Sequence, residues 1–221
     1  GTPSLKHLLI AGDKLPPGVH SIGNMLSQPD PRGAALAERQ RPSSSDVAFF
    51  LLSGGTTGLP KLIPRTHDDY EYNFDAAADV SGLSADSVYL IALPISHNFP
   101  LGSPGALGVL SRGGRVVLAA SPSPETAFPV VERERVTMTA HVPAVTIQWL
   151  NSPLREKYNL SWLRLLQVGG SRLSAEVAAR IKPLLGATVQ QVYGMAEGLL
   201  NFTHVDDPQE VLYNTQGRPM S

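Results

Sequence analysis

Cysteine is absent from the 221-residue sequence. That absence excludes disulfides, thiolate catalysis and cysteine-ligated metal, and it suits a reducing compartment. Charge of either sign is in short supply and nearly balanced. Lys and Arg total 18 against 19 Asp and Glu, for a formal net charge of −1. Bulk attraction to nucleic acid or to an acidic membrane needs a strong excess of positive charge, so neither partner is expected. No apolar run approaches the ~20 residues that a membrane-crossing helix requires. The opening "GTPSLKHLLIAGD" has too short an apolar part and too little positive charge for a signal peptide. The expectation is a cytoplasmic protein. Metal-ligand spacing is also missing: His7, His20, His67, His141 and His204 stand apart from one another. His67 is expected to start a helix, and His141 to be structural or to approach a pocket from a neighbouring strand. The Asp pairs at 68–69 and 206–207 read as helix-start or turn carboxylates.

What is present is the pattern of an α/β chain. Hydrophobic residues make up 42%, enough for a packed core, and the length suits one large domain or two small ones. Apolar runs at 5–12, 47–53, 88–93, 115–120, 136–141, 163–169 and 188–194 read as strands, rich in Val, Ile and Leu and often apolar on both faces. Strands of that kind belong in a sheet covered on both sides, which favours parallel pairing through helical crossovers. Helices are expected over 67–80, 124–134, 143–151 and 174–184, the last opened by Ser174 with Glu176 in its first turn. Residues 23–46, rich in Pro, Ser and charge, read as a surface connection with one short helix near 33–40. Both ends read as unfinished, since the chain opens on a strand and its last residues offer no closing element.

One stretch carries chemistry. Residues 51–67 are "LLSGGTTGLPKLIPRTH". Glycines at 54, 55 and 58 let backbone N–H groups approach an anion closely, Ser53, Thr56 and Thr57 add hydroxyl donors, and Lys61 adds a point charge. Arg65 offers a second positive charge, unless helix geometry points it elsewhere. A strand before and a helix after is the arrangement anion-binding loops use. Neither the P-loop pattern nor the dinucleotide pattern fits, because Lys61 is followed by Leu62 and no Gly-x-Gly occurs here. A flexible linker and a phosphate cradle remain evenly balanced on these residues alone.

The sequence "LSGGTTGLPKLIPRTH" resembles the signature loop of the adenylate-forming enzymes: acyl- and aryl-CoA ligases, luciferases and nonribosomal peptide synthetase adenylation domains. "QQVYGMAEG" at 190–198 resembles a second motif of that family. "LPISHNFPLGSPGALGVL" (93–110), "LQVGGSRLS" (166–174) and "NTQGRPM" (214–220) narrow the resemblance to stand-alone aryl-acid–AMP ligases of siderophore pathways. The resemblance implies two stacked α/β subdomains with largely parallel sheets, as an incomplete N-terminal domain of that fold. Residues 1–85 would belong to the subdomain with the phosphate loop, 86–207 to the second, and 208–221 would lead onward. The implied reaction joins 2,3-dihydroxybenzoate or salicylate to ATP, giving an aryl-adenylate and pyrophosphate. The acyl group then passes to the phosphopantetheine thiol of an aryl carrier protein.

Site roles follow from the same resemblance. Ser53, Gly54, Gly55, Thr56, Thr57, Gly58 and Lys61 would hold the β- and γ-phosphates. Gly170, Ser171, Val192, Tyr193, Gly194, Met195 and Ala196 would line the adenine and AMP, with Tyr193 stacking on the base. Glu197 would be the Mg²⁺ ligand. His97, Asn98, Phe99, Ser103, Gly169, Gly170 and Leu200 would line the aryl acid, with Asn98 hydrogen-bonding its ortho-hydroxyl. Several of these have plainer alternatives: a strand-to-helix turn for 169–171, core packing for Tyr193, a solvated charge for Glu197, and a helix through 99–110 capped at His97-Asn98. Ser103 resembles dihydroxybenzoate enzymes and Leu200 resembles salicylate enzymes, so the acid is undecided, and 3-hydroxypicolinate is a further candidate. Family members run to about twice this length and add a C-terminal domain whose lysine bridges carboxylate and α-phosphate. The chain therefore reads as an internal fragment with little activity alone. An aryl-CoA ligase and a binding-only module are the competing readings.

Overall fold

The computed structural model describes residues 7–12, 14–28, 30–52 and 61–220. Ser53, Gly54, Gly55, Thr56, Thr57 and Gly58 of the glycine-rich loop lie outside the described residues. The chain divides into two compact units, Gly1–Ser43 and Ser44–Ser221.

In the first unit, β1 (Leu9–Ile10) pairs in parallel with β2 (His20–Ser21). Of the strand expected over 5–12, residues 5 and 6 lie outside the described residues, and among those described only Leu9 and Ile10 pair, with His20 and Ser21. Two short helices follow, α1 (Ile22–Ser27) and α2 (Pro31–Arg39). Ser21 caps the first, its Oγ accepting from the Asn24 N–H at 3.2 Å. Asp30 caps the second, and Pro31 takes the first helical position, where a missing N–H costs nothing. Only the second of these helices was legible in the sequence.

The second unit begins with an antiparallel hairpin of β3 (Val47–Leu52) and β4 (Leu62–Thr66), with Leu52 opposite Leu62 and Phe49 opposite Arg65. The glycine-rich loop is therefore the connection of a hairpin. The helix expected over 67–80 forms at those bounds, and what the sequence did not show is β4 before it, where the apolar Leu62 and Ile63 pair with β3. The helix α3 (His67–Val80) starts only after β4. Thr66 Oγ1 accepts from the Asp69 N–H at 3.2 Å, and Asp68 and Asp69 complement the positive N-terminal end of the helix.

The main sheet has seven strands: β5 (Val88–Ile91), β6 (Arg115–Leu118), β7 (Met138–His141), β8 (Leu165–Val168), β9 (Thr188–Gly194), β10 (Leu200–Phe202) and β11 (Arg218–Pro219). Their order is β11-β10-β9-β8-β7-β5-β6. β5 to β9 are parallel, as the two-sided apolar runs imply, while β10 and β11 add antiparallel edges. Crossovers run through α4 (Asn98–Gly102), α5 (Gly105–Ser111), α6 (Pro124–Glu134), α7 (Pro143–Asn151) and α8 (Ala175–Leu185), and α9 (Gln209–Asn214) precedes β11.

Alternation along the strands divides the core into two layers. Leu90, Leu166, Val168 and Val189 face Phe128, Trp149, Ile181 and Leu212 of α6 to α9. Tyr89, Ile91, Met138 and Leu165 face Ala77, Phe99, Ala106 and Val109 of α3 to α5. The result is a sheet with helices on both faces. α3, from the segment that also carries the β3–β4 hairpin, supplies part of one face.

Candidate active site

In a parallel sheet the strand C-terminal ends all lie along one edge, and the loops that leave them share it. Here those loops are 92–97 after β5, 142 after β7, 169–174 after β8 and 195–199 after β9. Successive connections also reverse direction between β5 and its neighbour β7, since β6 lies on one side of β5 and β7 to β9 on the other. A reversal of that kind opens a crevice suited to a ligand. His97, Asn98, Gly169, Gly170, Ser171, Tyr193, Gly194, Met195, Ala196 and Glu197 thus come to one edge of the sheet from three separate segments.

The apolar part of the site is packed. Phe99, Val192 and Leu200 belong to one buried cluster on the α3–α5 face. Gly169 shows why it carries no side chain: a Cβ there would lie 2.9 Å from the Val192 carbonyl oxygen and 3.1 Å from the Phe99 ring. Leu200 stands opposite Gly194 in the β9–β10 pairing. The helix-capping reading of His97 holds, with its Nδ1 accepting from the Phe99 N–H at 3.2 Å. The expected helix through 99–110 is corrected to two helices, α4 and α5, broken at Ser103-Pro104. That leaves a role for Asn98 facing a ligand untouched, because the two readings are compatible.

Asn98 is half-buried, and its Oδ1 accepts from the Tyr70 hydroxyl at 2.6 Å. Ser103 is 2% exposed, and its Oγ has no hydrogen-bond partner among the described residues. A buried hydroxyl without a partner carries a desolvation cost that a ligand hydroxyl can relieve. Tyr193 is 42% exposed at the end of β9, so core packing does not explain it. Glu197 is exposed in the turn between β9 and β10, as are Gly170 and Ser171 after β8. Among the described residues no group of three or more His, Cys, Asp or Glu side chains could hold a metal by itself. A single carboxylate such as Glu197 suits Mg²⁺, which is commonly bound through one or two carboxylates plus phosphate oxygens and water.

Arg65 departs from its expected part. Its side chain is 2% exposed and fully committed within the protein. It pairs with Asp69 through Nε and, at 2.9 Å, through Nη2; Nη1 donates to the Ala196 carbonyl at 3.2 Å; and Nη2 reaches Asn73 Oδ1 at 3.4 Å. The guanidinium also lies 5.0 Å from the Tyr70 ring centroid. Arg65 is thus not a second phosphate charge. It ties the strand after the glycine-rich loop to the turn that carries Glu197, a role the sequence signalled only by an Asp four residues downstream. His141 packs as the structural reading expects, and neither of its ring nitrogens has a hydrogen-bond partner among the described residues. It is fully buried on the α7 side, 4.3 Å from the Trp149 ring, and burial pushes it down to about 3, keeping it neutral.

Comparison with known proteins matches residues 2–221 to the family described as AMP-binding enzyme. The chain belongs to that family. A salicylyl-CoA synthase / salicylate adenylyltransferase of Streptomyces sp is 55% identical over 99% of this chain and 40% of its own length. A 2,3-dihydroxybenzoate-AMP ligase of Bacillus subtilis (strain 168) is 50% identical over 99% of this chain and 39% of its own length. Among solved structures, apo MbtA of Mycobacterium smegmatis superposes with a TM-score of 0.82 at 45% identity, covering 100% of this chain and 39% of that one. This AMP-binding enzyme chain therefore spans about 40% of the length of the curated relatives it matches. The α/β fold with a largely parallel sheet agrees with the sequence expectation. Among the described residues no helix is long and apolar enough to cross a membrane.

Proposed function

We propose that this chain is the acid- and nucleotide-binding portion of an aryl-acid–AMP ligase that activates a hydroxylated aromatic acid, 2,3-dihydroxybenzoate or salicylate. One observation carries the reading. The buried Ser103 hydroxyl, without a partner among the described residues, and the half-buried Asn98 amide flank α4 beside the apolar cluster of Phe99, Val192 and Leu200. An apolar wall with a few polar groups is how a small aromatic ligand is held and oriented. The relatives named for salicylate and 2,3-dihydroxybenzoate support the same acid class.

On this reading the acid lies against His97, Asn98, Phe99, Ser103, Gly169, Gly170 and Leu200. Its carboxylate oxygen attacks the α-phosphorus of ATP, the bond to the β-phosphate oxygen breaks, and pyrophosphate leaves. The adenine lies along Gly170, Ser171, Val192 and Gly194 to Ala196, with the exposed Tyr193 ring on its face. The loop from Ser53 to Lys61 receives the β- and γ-phosphates. Glu197 would hold Mg²⁺, which would supply neutralisation of the phosphate charge. The chain's own contribution is to position the two reactants and to exclude water. The acyl group then moves to a phosphopantetheine thiol of an aryl carrier protein, as in siderophore or nonribosomal peptide assembly, and AMP departs. The setting is the cytoplasm, where ATP is supplied.

The test is aryl-acid-dependent ATP–pyrophosphate exchange by the full-length enzyme with salicylate, 2,3-dihydroxybenzoate, 3-hydroxypicolinate and benzoate. Hydroxylated acids should exceed benzoate by about fivefold or more, since one well-formed hydrogen bond is worth ~1 kcal/mol or more. Preference for benzoate would remove the role given to Asn98. A second reading is favoured by the relative named as a salicylyl-CoA synthase: transfer to free coenzyme A. Offering the enzyme coenzyme A and an aryl carrier protein together decides between the acceptors.

A further inference from the structure

Tyr70 sits on α3, outside every motif that pointed to the site, yet its hydroxyl ends at Asn98. The ring is 3% exposed and held on several sides. Phe49 of β3 meets it edge-on at 4.4 Å, Phe74 lies 6.3 Å away, and the Arg65 guanidinium covers it. Gly102, at the far end of α4, leaves no room for drift: a Cβ there would lie 2.4 Å from the Tyr70 oxygen. Asn73 fixes that end of α4 in turn, its Nδ2 donating to the Gly102 carbonyl at 2.6 Å. Among the described residues a phenol clamped this tightly has one hydrogen-bond partner, Asn98 Oδ1, at 2.6 Å. That separation suits O–H···O, whereas N–H···O bonds centre nearer 2.9–3.0 Å.

The polarity of Asn98 follows. A carboxamide has one acceptor end and one donor end. With Oδ1 engaged by the Tyr70 O–H, the end left for a ligand is Nδ2, which has no hydrogen bond among the described residues. Burial pushes the Tyr70 phenol up to about 12, Arg65 opposing and Asp69 reinforcing the shift, so it keeps its proton and remains a donor at any working pH. Tyr70 is thus more than core filler.

We propose that Tyr70 is a positioning residue that locks the Asn98 amide with its N–H groups toward the acid, so that the site selects an ortho substituent able to accept a hydrogen bond. This rests on the reading of Asn98 as an acid-pocket residue. A phenolic oxygen qualifies: it has lone pairs to accept from Nδ2 while its own hydrogen turns to the neighbouring carboxylate. An aromatic amine does not, because its lone pair is drawn into the ring and it offers mainly N–H donors. Salicylate and anthranilate share a skeleton and differ only in this group, so they read the polarity of the amide directly.

The experiment measures kcat and KM for ATP–pyrophosphate exchange with both acids, and dissociation constants for both by calorimetry. It uses the full-length enzyme and its Tyr70→Phe, Asn98→Ala and Asn98→Asp variants. Tyr70→Phe keeps the ring but releases the amide to rotate. The salicylate-to-anthranilate ratio should fall about tenfold, mainly through KM, and the ratio of dissociation constants should fall with it. Asn98→Asp replaces the donor end by an acceptor and should move the ratio the same way, which keeps the test open if Tyr70→Phe folds poorly. Equal losses for both acids in Tyr70→Phe, or an unmoved ratio in Asn98→Asp, would overturn the proposal. Asn98→Ala separates the layers. If it leaves the preference for salicylate over benzoate intact, the acid-pocket reading itself fails. If it abolishes that preference while Tyr70→Phe leaves the salicylate-to-anthranilate ratio untouched, only the role of Tyr70 is lost.

Discussion

Replacing Arg65 by Met removes a guanidinium while keeping most of its stem, and the structure allows its effect to be worked out group by group. Hydrogen bonds to charged groups contribute about 1.5–3 kcal/mol each. The pair with Asp69 is discounted from that figure, because the Asp69 side chain is 46% exposed and regains water when its partner leaves. The Asn73 carbonyl oxygen regains less, since Asn73 is 2% exposed, and the Ala196 carbonyl also loses its donor. Stranding such acceptors costs about 1–3 kcal/mol. Together the loss should be about 2–4 kcal/mol in urea unfolding at neutral pH. Asp69→Asn should cost a similar amount by the opposite route, leaving a cation at 2% exposure without its counter-charge. The double variant should then cost less than the two single losses combined, with a coupling of about 1–2 kcal/mol. A loss below ~0.5 kcal/mol for Arg65→Met, or strict additivity with Asp69→Asn, would refute this account of a buried tie between β4 and the Glu197 turn.

His141 should make stability pH-dependent. Its folded value near 3 lies below the ordinary 6.5 because burial penalises the charged ring, so the unfolded chain binds the extra proton between those limits. Stability from this group is complete above about pH 6.5 and falls as pH drops toward 3, at roughly 1.4 kcal/mol per pH unit in mid-range. Urea melts from pH 7 to 4 should show this slope, and His141→Phe should flatten it; an equal slope in that variant would contradict the assignment. Ser103→Ala removes a buried hydroxyl with no partner among the described residues, so the unliganded protein should be unchanged or up to about 1 kcal/mol more stable, and any preference for 2,3-dihydroxybenzoate over salicylate should shrink. A loss above 1 kcal/mol in thermal unfolding would mean that the hydroxyl is satisfied within the protein. Lys61→Ala and Glu197→Ala should each lower pyrophosphate exchange by the full-length enzyme at least tenfold with little change in melting temperature. Unaltered exchange would remove both from the phosphate and Mg²⁺ roles.

Much of this architecture was legible in residue order because the central strands announce themselves. "VYLIAL", "VTMTAH" and "LRLLQVG" are apolar on both faces, and residues shielded on both faces have few alternatives to a covered parallel sheet. Helix starts were legible where a short oxygen-bearing side chain precedes the first turn. Ser174 accepts from the Val177 N–H at 3.4 Å, as its position suggested. β4, β10 and β11 escaped notice for the opposite reason. Strands of two to five residues lack enough alternation to show a period, and their pairing is set by a neighbour distant in the chain. β4 matters most, because it turned the expected strand–loop–helix into a hairpin.

The site divides along the same line. Residue order alone left the glycine-rich stretch evenly balanced between linker and phosphate cradle, and it was the resemblance of that stretch and of the aromatic-Gly-x-x-Glu run to family motifs that marked both as candidate site segments. Residue order could not say where the side chains of Arg65 and Tyr70 end. Arg65 looked like a free positive charge beside a phosphate loop. Folding buries it and turns it to Asp69 and the Ala196 carbonyl, 131 residues away. Tyr70 looked like an ordinary helical aromatic, and folding brings its hydroxyl to Asn98, 28 residues on. Hydrogen bonds between distant segments leave no spacing to read: they arise only when packing holds two surfaces together and excludes the water that would otherwise satisfy each group.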